Sequence, residues 1–123
     1  MTTIGDRLRQ LGQVAEDEFS HIITQPPVIL ADRLRLYFID GSWMEIRYPL
    51  PTKYSFHWQR GAEIFRINTA PHHKHSSMAT FPKHIHHKTE NNVVDDNITH
   101  FSNTPTKNLR NVLNWVESQL ELD

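Results

Sequence analysis

Six of the nine histidines in this chain fall between Arg66 and Lys88, in the stretch RINTAPHHKHSSMATFPKHIHHK. They are His72, His73, His75, His84, His86 and His87, and Arg66, Lys74, Lys83 and Lys88 stand with them, with no Asp or Glu between. A dense run of imidazoles builds a core poorly, because each buried ring needs a hydrogen-bond partner. Near neutral pH the same rings can act as general acids, general bases, cations or metal ligands. One fitting chemistry is proton transfer around a phosphodiester. There an imidazole takes the ribose 2′-hydroxyl proton, a second imidazole protonates the leaving oxygen, and arginine meets the developing charge. The other is metal binding. His73-Lys74-His75 and His84-Ile85-His86 are i, i+2 pairs, which share one side of an extended chain. His73, His75, His84 and His86 would then offer four nitrogens to a zinc-like ion. A third, purely structural reading has the ring nitrogens of His84 to His87 bonding loop carbonyls, and His72 and His73 simply following a turn at Pro71.

These side chains need a scaffold, and 123 residues provide one domain, residues 1–123, with room for a modest core. The net charge of −1 hides an uneven distribution. Between Glu63 and Glu90 only positive groups occur, whereas acids gather at Asp6 to Glu18, at Glu90 to Asp96 and at the C-terminus. A basic segment in a near-neutral chain points to an anionic ligand rather than to bulk coating of nucleic acid. With no cysteine, disulfides and thiolate metal sites are excluded. The opening MTTIGDRLRQLGQVAEDEF lacks the apolar core of a signal peptide, and no apolar run is long enough to span a bilayer. A cytoplasmic protein without membrane contact is expected.

Ile4, Leu8, Leu11, Ala15, Phe19 and Ile22 recur at steps of three and four and predict an amphipathic helix over 4–23, stopped before Pro26-Pro27. Thr104 as N-cap, Pro105 as first helical residue and the stripe Leu109, Val112, Leu113, Val116 and Leu120 predict a second helix over 105–121. Between them the period falls to two. Asp40-Gly41-Ser42 turns a first hairpin, for which a three-residue loop opposes Ile39 to Trp43, Tyr37 to Glu45 and Arg35 to Arg47. A second hairpin turns at Arg60-Gly61 and opposes Phe56 to Phe65 and Tyr54 to Ile67. The segment after the histidines reads as loop or as a short strand around Val93. The expected fold is α+β: a four-stranded antiparallel sheet of two hairpins, with both helices packed on one face.

This register puts Leu34, Leu36, Phe38, Met44, Ile46 and Tyr48 on the helix side. The other side receives Arg33, Arg35, Tyr37, Glu45 and Arg47 from one hairpin and Ser55, His57, Arg66 and Asn68 from the next. Pro71 then turns the chain at the sheet's end, and Phe81-Pro82 is expected to anchor the returning segment apolarly. On this reading His72, His73, His84 and His86 form one catalytic site with His57 and Arg66 beside it. Arg33, Arg35, Tyr37, Arg47, Asn68, Lys74 and Lys83 contact the substrate. No metal is needed. The combination suits a metal-independent ribonuclease, whose rate would follow a bell-shaped pH profile with limbs near the imidazole range of about 6 to 7. Gly-rich phosphate loops and a G-x-S-x-G elbow are absent.

The Asp-Gly-Ser hairpin, the strand YSFHWQ, then FRINTAPHH and TFPKHIHH, together resemble the TumE family, toxins of bacterial and archaeal toxin–antitoxin pairs. The likeness runs from about Leu34 to His87. It matches Ala70, Pro71, His72 and His73 to one family block, and Phe81, Pro82, His84 and His86 to the other. Three positions depart: the family's Asp falls at Asn68, its Asn at Thr69, and the first His after Phe-Pro is Lys83. The resemblance implies a toxin neutralised by a helix-turn-helix antitoxin encoded beside it. RNA as the target follows from analogy with other small ribonuclease toxins. Two alternatives stand beside it: a His-rich metal-binding protein or metal-dependent nuclease, with zinc as the cofactor, and a toxin that binds nucleic acid or protein without catalysis.

Overall fold

The computed structural model describes residues 2–71 and 77–121. Helix α1 (Ile4–Glu18) starts from a capping box. The Thr3 hydroxyl accepts from the Asp6 amide at 3.0 Å, and the Asp6 carboxylate accepts from the Thr3 amide. It ends four residues short of Ile22. Phe19 leaves helical geometry and a turn follows, closed by Ile22 N–H donating to the Phe19 carbonyl, yet both side chains remain in the core. The apolar stripe thus outlasts the helix. Helix α2 (Pro105–Glu121) covers the predicted span, with the Lys107 amide donating to the Thr104 hydroxyl at 3.2 Å. The helices lie side by side, tied by Arg110 to Glu18 at 2.9 Å and by His21 to Glu117.

The sheet corrects the four-stranded expectation. Among the described residues it has seven strands in sequence order, every neighbouring pair antiparallel: β1 (Val28–Leu30), β2 (Arg33–Tyr37), β3 (Trp43–Leu50), β4 (Lys53–Arg60), β5 (Glu63–Asn68), β6 (His84–Lys88) and β7 (Val93–Asp95). The two expected hairpins, β2–β3 and β4–β5, form its middle, and β3 and β4 pair with each other. Strands β1 and β7 have three residues each, too few for alternation to show. Strand β6, HIHHK, carries a single aliphatic residue, Ile85, and finds its partner across a long connection from β5.

Both predicted registers are displaced by one loop position. The first hairpin pairs Tyr37 with Trp43 and Arg35 with Glu45, and its three-residue loop is Ile39–Gly41. Asp40 accepts from the Ser42 amide at 2.9 Å and Gly41 takes φ 87°, while Ile39 N–H is drawn to the Ile22 carbonyl at 3.0 Å. The second hairpin turns at Gly61–Ala62 and pairs Phe56 with Ile67. Each displacement changes the opposing pairs but keeps parity, so every side chain stays on its predicted face. Phe56 and Trp58 are buried under the helices with Tyr48, Ile46 and Ile67, while His57 lies on the other side.

Arg7 is an unexpected member of the helix–sheet interface. It is buried, and its Nη1 donates to the Tyr48 and Pro49 carbonyls at 2.9 and 3.0 Å. Among the described residues no helix is long and apolar enough to cross a membrane.

Candidate functional site

The sheet face turned away from the helices is ordered by register into rows. One row runs Arg35, Glu45, His57, Arg66, His86 and Val93 across six strands. The next runs Arg47, Ser55, Asn68, His84 and Asp95. His57 and His86 therefore flank Arg66 on either side, and His84 faces Asn68. Alternation on β6 sends Ile85 into the core, where it is 5% exposed, and sends His84 and His86 to this face.

His84 and His86 meet edge to face with ring centroids 4.9 Å apart. Both are buried and both are anchored through Nδ1. His84 Nδ1 lies 2.9 Å from the Pro82 carbonyl and His86 Nδ1 lies 2.9 Å from the Glu90 carbonyl. A carbonyl only accepts, so Nδ1 carries the proton, and in the neutral ring Nε2 holds the lone pair. In each ring one nitrogen is fixed by a backbone carbonyl, as the structural expectation has it, and the chemical expectation then concerns Nε2. Anchoring of this kind serves an acid–base group and a metal ligand alike.

Arg66 pairs with Glu90 at 2.7 Å, and its Nε is buried without a partner among the described residues. Glu90 also approaches His86 Nδ1 at 3.6 Å. Sequence reading missed Glu90 because it lies in the turn after β6; its spacing of four from His86 was the available signal. His57 Nε2 lies 3.1 Å from Gln59 Oε1, and its ring leans on Trp43.

On the neighbouring strands Glu45 faces three guanidinium groups: Arg33 and Arg35 at 3.0 Å and Arg47 at 3.8 Å. One carboxylate among three arginines leaves a positive excess. Hydrogen bonds to Tyr37 and Glu45 push the Arg35 pKa above the ordinary arginine value, so its charge is held firmly. Between this cluster and Arg66 lies a depression of about 310 Å³ lined by Glu45, Arg47, Ser55, His57, Arg66 and Asn68. A second, of about 170 Å³, shares Arg47, Ser55 and Asn68 with it and extends to Thr69 and Ala70 at the end of β5.

The structure thus brings Arg33, Arg35, Tyr37, Arg47, His57, Arg66, Asn68, His84 and His86 to one face. His72, His73, Lys74 and His75 lie outside the described residues. Lys83 is placed elsewhere. Its Nζ donates to the Asp96 and Thr99 carbonyls at 2.8 and 2.6 Å, inside a buried nest. Asp96, fully buried, accepts from the Ile98 and Thr99 amides and from the Thr99 hydroxyl, and Tyr54 Oη meets that hydroxyl at 2.6 Å. This nest, with Thr80 donating to the Lys83 carbonyl at 2.8 Å, holds the start of β6. The predicted apolar anchor is corrected: Phe81 is 38% exposed. Among the described residues, no three His, Asp or Glu side chains gather as a metal-ligand set.

The model of the family described as Toxin TumE matches residues 5–120, nearly the whole chain and well beyond the stretch around the histidines. No curated protein and no solved structure matches.

Proposed function

This chain belongs to the TumE toxin family, and from that premise we propose that its histidine–arginine face is a metal-independent ribonuclease site. Family membership makes the chain the toxin component of a toxin–antitoxin system and implies a cognate antitoxin. The observation that carries the catalytic reading is the cross-strand row His57–Arg66–His86, with the His84 ring 4.9 Å from that of His86. One imidazole of the pair removes the 2′-hydroxyl proton through Nε2. The 2′-oxygen then attacks phosphorus, the bond from phosphorus to the 5′-oxygen breaks, and the second imidazole, protonated, gives that oxygen its proton. The products are a 2′,3′-cyclic phosphate and a free 5′-hydroxyl. Arg66 and Arg47, which both line the depression, meet the charge that gathers on the phosphoryl oxygens. His72 and His73 join this proposal from sequence alone, as they follow Asn68 within a few residues.

Purified toxin is incubated with 5′-labelled single-stranded RNA, with and without EDTA. The expected result is cleavage that EDTA does not affect, leaving cyclic-phosphate ends and failing where the 2′-hydroxyl is replaced by hydrogen. Cleavage abolished by EDTA would instead assign His84 and His86 to a metal centre. Intact RNA, free or ribosome-bound, would leave a toxin that acts by binding. The antitoxin, in this proposal of helix-turn-helix type, silences the toxin by covering the basic face. Co-purification of the pair, lost on charge reversal at Arg47 and Arg66 together, tests that part.

A further inference from the structure

The chain's three tryptophans divide between the two sides of the sheet. Trp58 is fully buried beneath the helices, and Trp115 packs against it edge to face at 5.5 Å. Trp43 occupies the opposite face and is only partly buried. Its neighbours there are polar: the Arg35 guanidinium carbon stands 4.5 Å from the indole centroid, and the His57 ring lies 5.6 Å away, tilted by 35°. Tyr37 is its direct cross-strand partner on β2. A large apolar ring set on a cationic surface, and held there by a guanidinium and an imidazole, resembles the platforms on which unpaired bases stack.

Register supplies the spacing. With strands about 4.8 Å apart and alternate residues about 6.8 Å apart, Trp43 on β3 lies roughly 12 Å from Arg66 on β5 and roughly 16 Å from His86 on β6. The polar depression of about 310 Å³ begins at Glu45 and His57, in the row beside Trp43, and runs away from the indole toward Arg47, Ser55 and Asn68. A few nucleotides of extended strand bridge such a distance, with a phosphate over Arg47 and Arg66 and a base at the indole. A duplex keeps its bases stacked inside and has none to offer.

We propose that Trp43, its ring fixed by Arg35 and His57, is a nucleobase-stacking subsite that holds an unpaired base of single-stranded RNA a short way along the chain from the phosphate at Arg47 and Arg66. The subsite rests on the reading of this face as an RNA site, but it does not require that the RNA be cut. The competing explanation is that the indole only shields the Arg35–Glu45 ion pair from water.

The full chain is titrated into a short fluorescein-labelled oligouridylate whose 2′-oxygens are methylated, so that it binds without being attacked. Trp43→Ala and Trp43→Leu should each weaken binding about tenfold or more, and Trp43→Phe should restore most of the affinity. Melting by circular dichroism confirms that each variant folds, and Trp43→Leu keeps the apolar cover should Trp43→Ala not fold. On an oligonucleotide with an abasic position at the subsite, Trp43→Leu should cost nothing further. Wild-type affinity in Trp43→Leu overturns the inference and makes the indole a shield. Loss of antitoxin capture in that variant, with RNA affinity unchanged, overturns it in favour of a protein contact, as does failure of the wild-type chain to bind the oligonucleotide. Tight, Trp43-dependent binding without cleavage of natural RNA leaves the subsite standing and removes the ribonuclease. Cleavage with unchanged KM in Trp43→Leu does the reverse.

Discussion

Lys83 and Arg47 are both cations beside a carboxylate, in settings of opposite kind. The Lys83 side chain is 8% exposed, gives its protons to two backbone carbonyls and stands 3.6 Å from Asp96, which water does not reach. Arg47 is 47% exposed and 3.8 Å from a Glu45 that Arg33 and Arg35 already hold. Enclosure decides what each charge is for. A buried cation with a full set of acceptors has none left for a ligand, and losing it strands its partner. A half-exposed cation at the margin of a positive cluster contributes little to folding and remains able to meet a phosphate.

The largest effect expected from this contrast is on stability. Lys83→Ala leaves Asp96 buried without its cation and should lower the free energy of unfolding by about 3–5 kcal/mol, read from the urea midpoint. A Lys83→Ala protein that melts normally but binds RNA poorly would erase the distinction. Next comes His86→Asn. The asparagine amide can still donate to the Glu90 carbonyl, whereas the basic Nε2 is gone. Cleavage should fall about 10²-fold or more with little change in melting, and His84→Asn should behave alike. His100→Ala, exposed and outside the cluster, should alter neither. Full cleavage by both asparagine variants would remove the acid–base pair from the mechanism.

A smaller effect sharpens the picture of the buried nest. Burial pushes the Tyr54 phenol well above its ordinary range, and Tyr48 moves the same way. A folded-state pKa above the unfolded value of about 10 means that stability is intact below that pH. It is then lost as pH rises toward the folded value, so alkaline unfolding should set in above about pH 10. Tyr54→Phe should cost about 1 kcal/mol at neutral pH through the Thr99 hydroxyl, and should flatten the alkaline decline. The smallest change in folding is reserved for Arg47→Ala, within about 0.5 kcal/mol. Its signature is in binding: the slope of log K against log salt for single-stranded RNA should become shallower by about 0.7. An unchanged slope would take Arg47 out of the phosphate path.

Much of the candidate face was readable because parity survives small errors. The predicted hairpins were each displaced by one loop position, yet Arg35, Glu45, His57 and Arg66 still shared a side, as alternation depends on odd and even numbering alone. The strand of His84 and His86 was not readable as a strand. Its histidines mask the apolar alternation, and its partner β5 lies across a long connection. Trp43 was visible at the right parity, opposite the helix side, but its contacts with Arg35 and His57 exist only in the packed sheet.

By itself, the sequence determined both helix stripes, the two central hairpins, the side of the sheet each of their residues occupies, and the family to which the chain belongs. These follow from local periodicity and from motif order, which need no knowledge of distant contacts. Tertiary structure decided the rest. It added β1 and β6, chose the short strand at Val93 over the loop, ended α1 at Glu18, placed Glu90 beside Arg66 and His86, and buried Lys83 with Asp96. Each of these depends on which backbone groups and charges meet after the chain has returned on itself. Burial and pairing of that kind are properties of the packed fold and of no single segment.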